Sequence, residues 1–254
     1  MVRLDLYITK REVCMSVNGQ NILVALDFPS LSKASVIAEP LRGKVGFKVG
    51  MELNTAAGTP SVIATIGEDV FLDLKFHDIP NTVAGAVKAA ALHRVKMLNV
   101  HCLGGKAMME AARSAANEVF IKTKNYRPLV IGVTILTSHD RKQLDSIGID
   151  LNLSMEEIVR KLTVLAVESG LDGVVCSPKE ITVVRKTVCD DGFIVVTPGI
   201  RKSTDPPDDQ KRTMSASEAV GLGASYLVIG RPITQALDPV EAAEQFIAEI
   251  AQVA

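Results

Sequence analysis

Eight short apolar runs recur along the chain, and a stretch with the pattern of a helix follows each of them. The runs fall at 21–27, 45–49, 70–76, 97–102, 129–136, 173–176, 193–197 and 226–229. Strands this apolar need cover on both faces, which is typical of a parallel sheet enclosed by helices. Eight strand–helix units in 254 residues match the size and count of a closed eight-stranded barrel. The sequence therefore predicts the α/β class and a single (β/α)8 TIM barrel.

The helix-like stretches fall at 30–39, 61–67, 82–93, 106–121, 154–169, 179–187, 215–221 and 239–253. Pro40 and Gly43 mark the predicted end of the first helix. A doubly wound open sheet is the alternative architecture, but no G-x-G-x-x-G motif follows the first strand. We expect residues 1–20 to form an N-terminal extension and residues 21–254 to form the catalytic barrel domain.

The composition limits the kinds of partner and site. The formal net charge of −1 gives no electrostatic reason to expect nucleic acid or a membrane surface as a partner. No apolar run approaches the roughly 20 residues that cross a bilayer, and the N-terminus lacks the apolar centre of a signal peptide. We therefore expect a cytoplasmic protein. The cysteines form no C-x-x-C pair and the histidines no H-E-x-x-H motif, so we expect no metal site.

Charged residues interrupt the third apolar run. Asp73 and Lys75 lie two residues apart within it, and Asp78 follows shortly before Pro80. Because successive side chains of a strand alternate between its faces, Asp73 and Lys75 are expected to point the same way. Buried charges are costly unless they are paired, so this cluster indicates a functional site. A structural ion pair at a sheet edge is the alternative explanation.

Other polar residues fall at the C-terminal ends of the predicted strands, where barrels of this type carry their active sites. Asp27 ends the first run, Lys48 lies within the second and His101 closes the fourth. Taken singly, each has an ordinary explanation as a helix cap, a snorkelling lysine or a packing histidine. Carboxylates close to Lys75 would favour its charged ammonium form, which suits a proton donor rather than a Schiff-base lysine.

Features of a phosphate site follow the last two predicted strands. The loops after strands seven and eight are the usual phosphate site of this fold. At Gly230 a phosphate can approach the backbone, and Arg231 can bind it through two parallel hydrogen bonds. Residues 202–214 form a polar segment long enough to act as a lid over substrate. A solvated loop with a surface arginine is the alternative, but we favour a small phosphorylated substrate.

Taken together, these motifs resemble the orotidine 5'-phosphate decarboxylase family. Residues 73–82 read D-L-K-F-H-D-I-P-N-T and resemble the D-x-K-x-x-D-I-P-N-T signature of that family. The resemblance continues in order through 24–27, 47–50, 99–101, 133–138, 197–201 and 228–232, from about residue 21 onwards. It implies decarboxylation of orotidine 5'-phosphate to UMP and carbon dioxide in pyrimidine nucleotide synthesis. It also implies that the reaction uses no metal and no organic cofactor.

The resemblance further implies roles for individual residues. Lys75 would protonate C6 of the pyrimidine, Asp73 would lie beside the departing carboxylate, and Lys48 and Asp78 would complete the catalytic set. Asp78 and Thr82 would reach the partner's site in a homodimer. The residues expected to contact orotidine 5'-phosphate or UMP are Asp27, Lys48, Asp73, Ile79, Thr82, Thr137, Pro198, Arg201, Gln210, Gly230 and Arg231.

Two other functions fit parts of the pattern. A magnesium-dependent relative on the same barrel, acting on a keto-sugar phosphate through an enediolate, shares the D-x-K-x-x-D motif. Residues 78–82 and the long segment before Gln210 speak against it. A non-catalytic barrel that binds nucleotide phosphates is the second alternative. Asp73, Lys75 and Asp78 speak against it, because a mere binder gains little from buried charges.

Overall fold

The computed structural model describes residues 18–124, 126–149, 152–201 and 213–253. Eight parallel strands form a closed barrel, in which each strand pairs with the next and the last pairs with the first. The strands are β1 (Ile22–Ala25), β2 (Gly46–Val49), β3 (Val70–Phe76), β4 (Met97–His101), β5 (Leu129–Val133), β6 (Gly173–Val175), β7 (Ile194–Pro198) and β8 (Tyr226–Ile229). The predicted (β/α)8 TIM barrel is confirmed.

Helices alternate with these strands and cover the outside of the barrel. They are α1 (Leu31–Leu41), α2 (Met51–Ala57), α3 (Thr59–Ile66), α4 (Pro80–Leu92), α5 (Lys106–Thr123), α6 (Arg141–Ser146), α7 (Met155–Glu168), α8 (Ile181–Thr187), α9 (Ala216–Gly221), α10 (Arg231–Thr234) and α11 (Pro239–Ala251). The sequence pattern did not predict α2, α6 or α10. These helices have seven, six and four residues, so an apolar period is a weak signal in them, as it is in the similarly short α8 and α9.

The predicted end of the first helix was wrong. Helix α1 runs through Pro40 and ends at Leu41. A proline in a helix loses one backbone hydrogen bond and crowds the preceding turn. Ala38 and Leu41 on the same last turns are fully buried, and their packing against the core offsets that loss.

Apolar side chains pack in two layers, one inside the barrel and one between the strands and the helices. The inner layer is made by Leu23, Phe71, Met97, Ile131, Ile194, Val196 and Tyr226. Outward-facing residues of the same strands pack against the helices in the larger outer cluster. Because side chains fill the interior, the space left for a ligand is at the C-terminal mouth.

The chain enters the barrel at the opposite end from that mouth. A single 3-10 turn, Gly19–Asn21, precedes β1, and the Asn21 side-chain amide donates to the Ser225 carbonyl at 2.9 Å. Residues 1–17 lie outside the described part of the chain, so the domain division at residue 20 stays a prediction. Within the described ranges, no helix has both the length and the apolar character that a bilayer crossing requires.

Candidate active site

A cavity of about 570 Å³ opens at the C-terminal mouth of the barrel. This volume is in the range of pockets that hold small-molecule ligands. The predicted site residues that line it are Asp27, Lys48, Asp73, Lys75, Thr137, Pro198, Arg201, Gly230 and Arg231. They come from strands on all sides of the barrel, so the parallel topology brings together residues that are far apart in sequence.

Four charged side chains form a row with alternating sign along one wall of the cavity. The Lys48 ammonium donates to Asp27 Oδ1 at 2.6 Å and lies 3.9 Å from Asp73 Oδ2. The Lys75 ammonium donates to Asp73 Oδ1 at 2.7 Å. Each ammonium therefore contacts a carboxylate, and the carboxylate of Asp73 lies between the two lysines.

Burial explains why Lys48, Asp73 and Lys75 must be paired, whereas Asp27 at the end of the row is 55% exposed. The side chain of Lys48 is only 8% exposed, that of Asp73 17% and that of Lys75 29%. A charge removed from water to this degree is stable only with hydrogen-bonding partners of opposite charge. A closed barrel has no sheet edge, so the alternative of an ion pair at an edge is excluded.

Lys75 has a backbone conformation that its strand does not predict. Its φ angle is +51°, in the left-handed region that residues other than glycine rarely adopt. The pairing of β3 with β4 shifts register between Leu72 and Phe76, around this residue. Such a conformation costs on the order of 1–3 kcal/mol and is often found at functional sites. Asp73 and Lys75 do meet, as expected, although regular alternation breaks between them.

Of the expected site residues that the structure describes, three lie outside the lining of this cavity. Asp78, Ile79 and Thr82 are exposed at the surface, and Ile79 is 67% exposed. The Asp78 carboxylate accepts the backbone N–H of Ile79 at 2.6 Å. Among the ion pairs of the described residues, Lys75 pairs with Asp73 and not with Asp78. Within a single chain, Asp78 therefore lies outside the lining of the cavity.

The segment predicted to be a lid is described only at its base. Gln210 and the rest of residues 202–212 lie outside the described residues. The Arg201 N–H donates to the Met214 carbonyl at 3.0 Å, and the Met214 N–H donates to the Gly199 carbonyl at 3.3 Å. These bonds hold the two ends of the segment together beside the cavity.

The cavity also contains residues that the sequence pattern did not single out. Thr234 and Gln235 are among them. Thr234 and Gln235 end the short helix α10, which begins directly after β8 at the mouth and has only four residues, too few for a sequence period. Ser138, which belongs to the 133–138 stretch that resembles the family and follows the fifth strand, also lines the cavity.

His101 ends β4 and is buried beside the charged row. Its ring stacks on that of His77 with centroids 5.4 Å apart, and its Nδ1 accepts the N–H of Leu103 at 3.3 Å. Burial is the main cause that lowers the pKa of His101 from 6.5 to about 4, followed by the charges of His77, His139 and Lys75. His101 is therefore neutral at neutral pH and unsuited to act as a cationic donor.

This lowered pKa predicts a loss of stability in acid. The unfolded chain binds a proton at His101 near pH 6.5, whereas the folded chain does so only near pH 4. Stability is therefore fully present above pH 6.5 and is expected to fall by about 2–3 kcal/mol as the pH drops from 6.5 to 4. Urea unfolding across this range should show a flatter profile for His101→Asn, which keeps an acceptor for Leu103. Identical profiles would contradict the assignment.

Among the residues that the structure describes, no group of three or more His, Cys, Asp or Glu side chains is arranged to hold a metal ion.

A comparison with known protein families finds one family whose model spans all eight strands of the barrel. A family model described as the orotidine 5'-phosphate decarboxylase / HUMPS family matches residues 20–246. An orotidine 5'-phosphate decarboxylase of Trichlorobacter lovleyi is 51% identical over 233 residues, covering 90% of this chain and 94% of that protein. The enzyme of the same name from Moorella thermoacetica is 49% identical over 236 residues, covering 91% of this chain and 92% of that protein.

Solved structures show the same similarity in three dimensions. The orotidine 5'-phosphate decarboxylase of Lactobacillus acidophilus superposes with a TM-score of 0.78 at 34% identity, covering 90% of this chain and 98% of its own. An uncharacterized conserved protein from Geobacillus kaustophilus superposes with a TM-score of 0.76 at 37% identity, covering 90% of this chain and 99% of its own.

Proposed function

Because the chain belongs to the orotidine 5'-phosphate decarboxylase / HUMPS family, we propose that it decarboxylates orotidine 5'-phosphate with Lys75 as the proton donor to C6. The protein is a carboxy-lyase of pyrimidine biosynthesis. The observation that carries the role of Lys75 is the contact between its ammonium and the Asp73 carboxylate in the wall of the cavity.

The chemistry explains why a fixed ammonium is needed. When the bond from C6 to the carboxylate breaks, its electron pair stays on a ring carbon that has no adjacent group able to delocalise it. A cation fixed at this carbon stabilises the developing negative charge, and such preorganised electrostatics is often the largest catalytic effect. The Lys75 N–H bond then breaks as the new C6–H bond forms, giving UMP, carbon dioxide and a neutral amine. Solvent restores the proton.

The other charged residues hold the lysine and the substrate. Asp73 fixes the Lys75 ammonium and would lie beside the substrate carboxylate, while Lys48 and Asp27 continue the row towards the ribose hydroxyls. Repulsion between Asp73 and the substrate carboxylate would also raise the ground state, but the weight of such destabilisation is contested. We therefore assign the larger effect to Lys75.

The far side of the cavity supports binding of the substrate's phosphate. Arg201, Gly230 and Arg231 line the cavity there, and guanidinium groups bind phosphate through paired, charge-assisted hydrogen bonds. Thr137 and Pro198 would contact the pyrimidine. Gln210 completes the proposed phosphate contacts.

We also propose a homodimer in which Asp78 and Thr82 act in the partner's site. Their exposure supports this, as does the neighbouring apolar side chain of Ile79, which is 67% exposed. Mixing Lys75→Ala and Asp78→Ala proteins, each inactive alone, is expected to restore about a quarter of the parent activity through mixed dimers with one complete site. Mixtures no more active than their components would contradict a contribution across subunits.

The experiment that tests the proposed function is a spectroscopic assay. Pyrimidine absorbance is followed after orotidine 5'-phosphate is added to the purified protein, with and without excess EDTA. We expect equal rates in both, because we propose that no metal or organic cofactor takes part. Rates that vanish with EDTA and return with Mg²⁺ would favour metal-dependent chemistry. Binding of UMP without any consumption of orotidine 5'-phosphate would favour a non-catalytic barrel.

A further inference from the structure

Asn99 lies on β4 with no exposed surface, between two groups that the proposed function uses. Its side-chain Oδ1 accepts the backbone N–H of Lys75 at 2.7 Å, and its Nδ2 donates to Oδ1 of Asp73 at 2.6 Å. These contacts determine the orientation of the amide, because its oxygen only accepts and its nitrogen only donates. Asn99 therefore links the backbone of the lysine to the carboxylate that binds the ammonium of the same lysine.

The hydrogen bond from the Lys75 N–H to Asn99 Oδ1 explains how the left-handed backbone of Lys75 is held. In a regular ladder the strand N–H groups bond to carbonyls of the neighbouring strand. Here the register of β3 against β4 shifts around Lys75, and its N–H bonds to the side chain of Asn99 instead. The left-handed φ of +51° is unfavourable for lysine and persists only where the surroundings enforce it.

We propose that Asn99 is a positioning residue for the decarboxylation. It holds Lys75 in its left-handed conformation and turns Asp73 so that the ammonium is presented to C6 of the substrate. The proposal rests on the proposed function, in which Lys75 is the proton donor. Asn99 acts through Lys75 and Asp73 and makes no contact with the reacting atoms.

If Asn99 had only a structural role, its replacement would lower stability but not turnover. Asn21, a second buried asparagine, serves as the matched control. Asn21 is 7% exposed at the opposite end of the barrel, where its amide accepts the Asn18 N–H at 2.8 Å and donates to the Ser225 carbonyl at 2.9 Å. Either asparagine leaves buried polar groups without partners when it is replaced by alanine, so both replacements should lower thermal stability.

Turnover is expected to separate the two asparagines. Asn99→Ala should lower kcat about 100-fold while KM for orotidine 5'-phosphate changes less than about threefold, because the interaction lost is one that orients the proton donor. Asn21→Ala should keep kcat within about twofold of the parent at a temperature where both variants are folded. A kcat for folded Asn99→Ala within about threefold of the parent would overturn the proposal.

Asn99→Asp tests the same idea without a change in volume and also decides it if Asn99→Ala does not fold. The new carboxylate can still accept the Lys75 N–H, but it places an oxygen where Nδ2 donated to Asp73. When both carboxylates are ionised they repel each other and the hydrogen bond is lost, and this repulsion raises the pKa of the pair. At lower pH a shared proton restores the hydrogen bond between them. We expect the ratio of variant to parent kcat to rise about tenfold or more between pH 8 and pH 5.5. A ratio that does not change with pH would overturn the proposal.

The proposed function and the role of Asn99 fail in distinguishable ways. If Lys75→Ala keeps its turnover, the proton-donor role is wrong and the role of Asn99 loses its basis. If Lys75→Ala is inactive while both Asn99 variants turn over like the parent at every pH, the proposed function stands and only the positioning role is wrong.

Discussion

Lys75→Ala is expected to lower kcat by at least about 10⁴-fold while the protein still binds UMP. The variant removes both the cation that stabilises negative charge at C6 and the proton that replaces the carboxylate, and these effects act only in and after the transition state. Affinity for the product is expected to change little, since the phosphate and ribose contacts remain. Steady-state kinetics with orotidine 5'-phosphate and calorimetric titration with UMP measure the two quantities.

Lys122→Ala serves as the control for this replacement. Lys122 is 70% exposed on α5 and pairs with Glu118 at the surface, so its loss should leave both kcat and UMP binding unchanged. Turnover of Lys75→Ala within about tenfold of the parent corresponds to only about 1.4 kcal/mol of barrier. That outcome would remove Lys75 from the role of proton donor.

Orotidine without its phosphate is expected to react with a kcat/KM about 10³-fold lower than that of orotidine 5'-phosphate. Hydrogen bonds to charged groups contribute roughly 1.5–3 kcal/mol each, and the cavity offers the guanidinium groups of Arg201 and Arg231. Binding energy at the phosphate, remote from C6, helps to position the pyrimidine for reaction. Comparable values for the two substrates would contradict this use of the phosphate.

Arg231→Ala shows whether the loss arises at the proposed phosphate site. It should lower kcat/KM for orotidine 5'-phosphate about 10- to 100-fold and leave the value for orotidine within about threefold of the parent. Arg160→Ala, on the outer helix α7, should change neither value. Equal losses with both substrates would indicate that Arg231 supports the fold of the mouth rather than the phosphate.

The sequence predicted the barrel because its strands carry a strong local signal. Each strand is a compact apolar run, and eight of them separated by helices fit one architecture. The short helices α2, α6 and α10 carry no such signal. Pro40 misled the prediction because its local preference is outweighed by the burial of Ala38 and Leu41 in the same helix.

The sequence predicted those site residues that are charged and lie within apolar strands. Lys48, Asp73 and Lys75 stand out because they interrupt runs that are otherwise buried, and the cavity brings them together. The left-handed backbone of Lys75 had no sequence signal, since it depends on a partner 24 positions along the chain. Asn99 itself could have been noticed, because it alternates with Met97 and His101 towards the inside of β4.

Asp78 shows a different limit of sequence reasoning. Its closeness in sequence grouped it with Asp73 and Lys75 in one charged cluster, yet in one chain Asp78 is exposed and accepts the N–H of its own neighbour Ile79. Chain direction changes after Phe76, where β3 ends, so strand alternation no longer predicts where the carboxylate points.

Exchange of the C6 hydrogen of UMP in D2O tests the account's central claim most directly. The same proton transfer that completes decarboxylation must run in reverse, so a donor at C6 also exchanges that hydrogen with solvent. Proton NMR at saturating UMP should show exchange by the parent enzyme and exchange at least about 10³-fold slower by Lys75→Ala. Exchange at the parent rate by a variant that lacks Lys75 would show that another group delivers the proton.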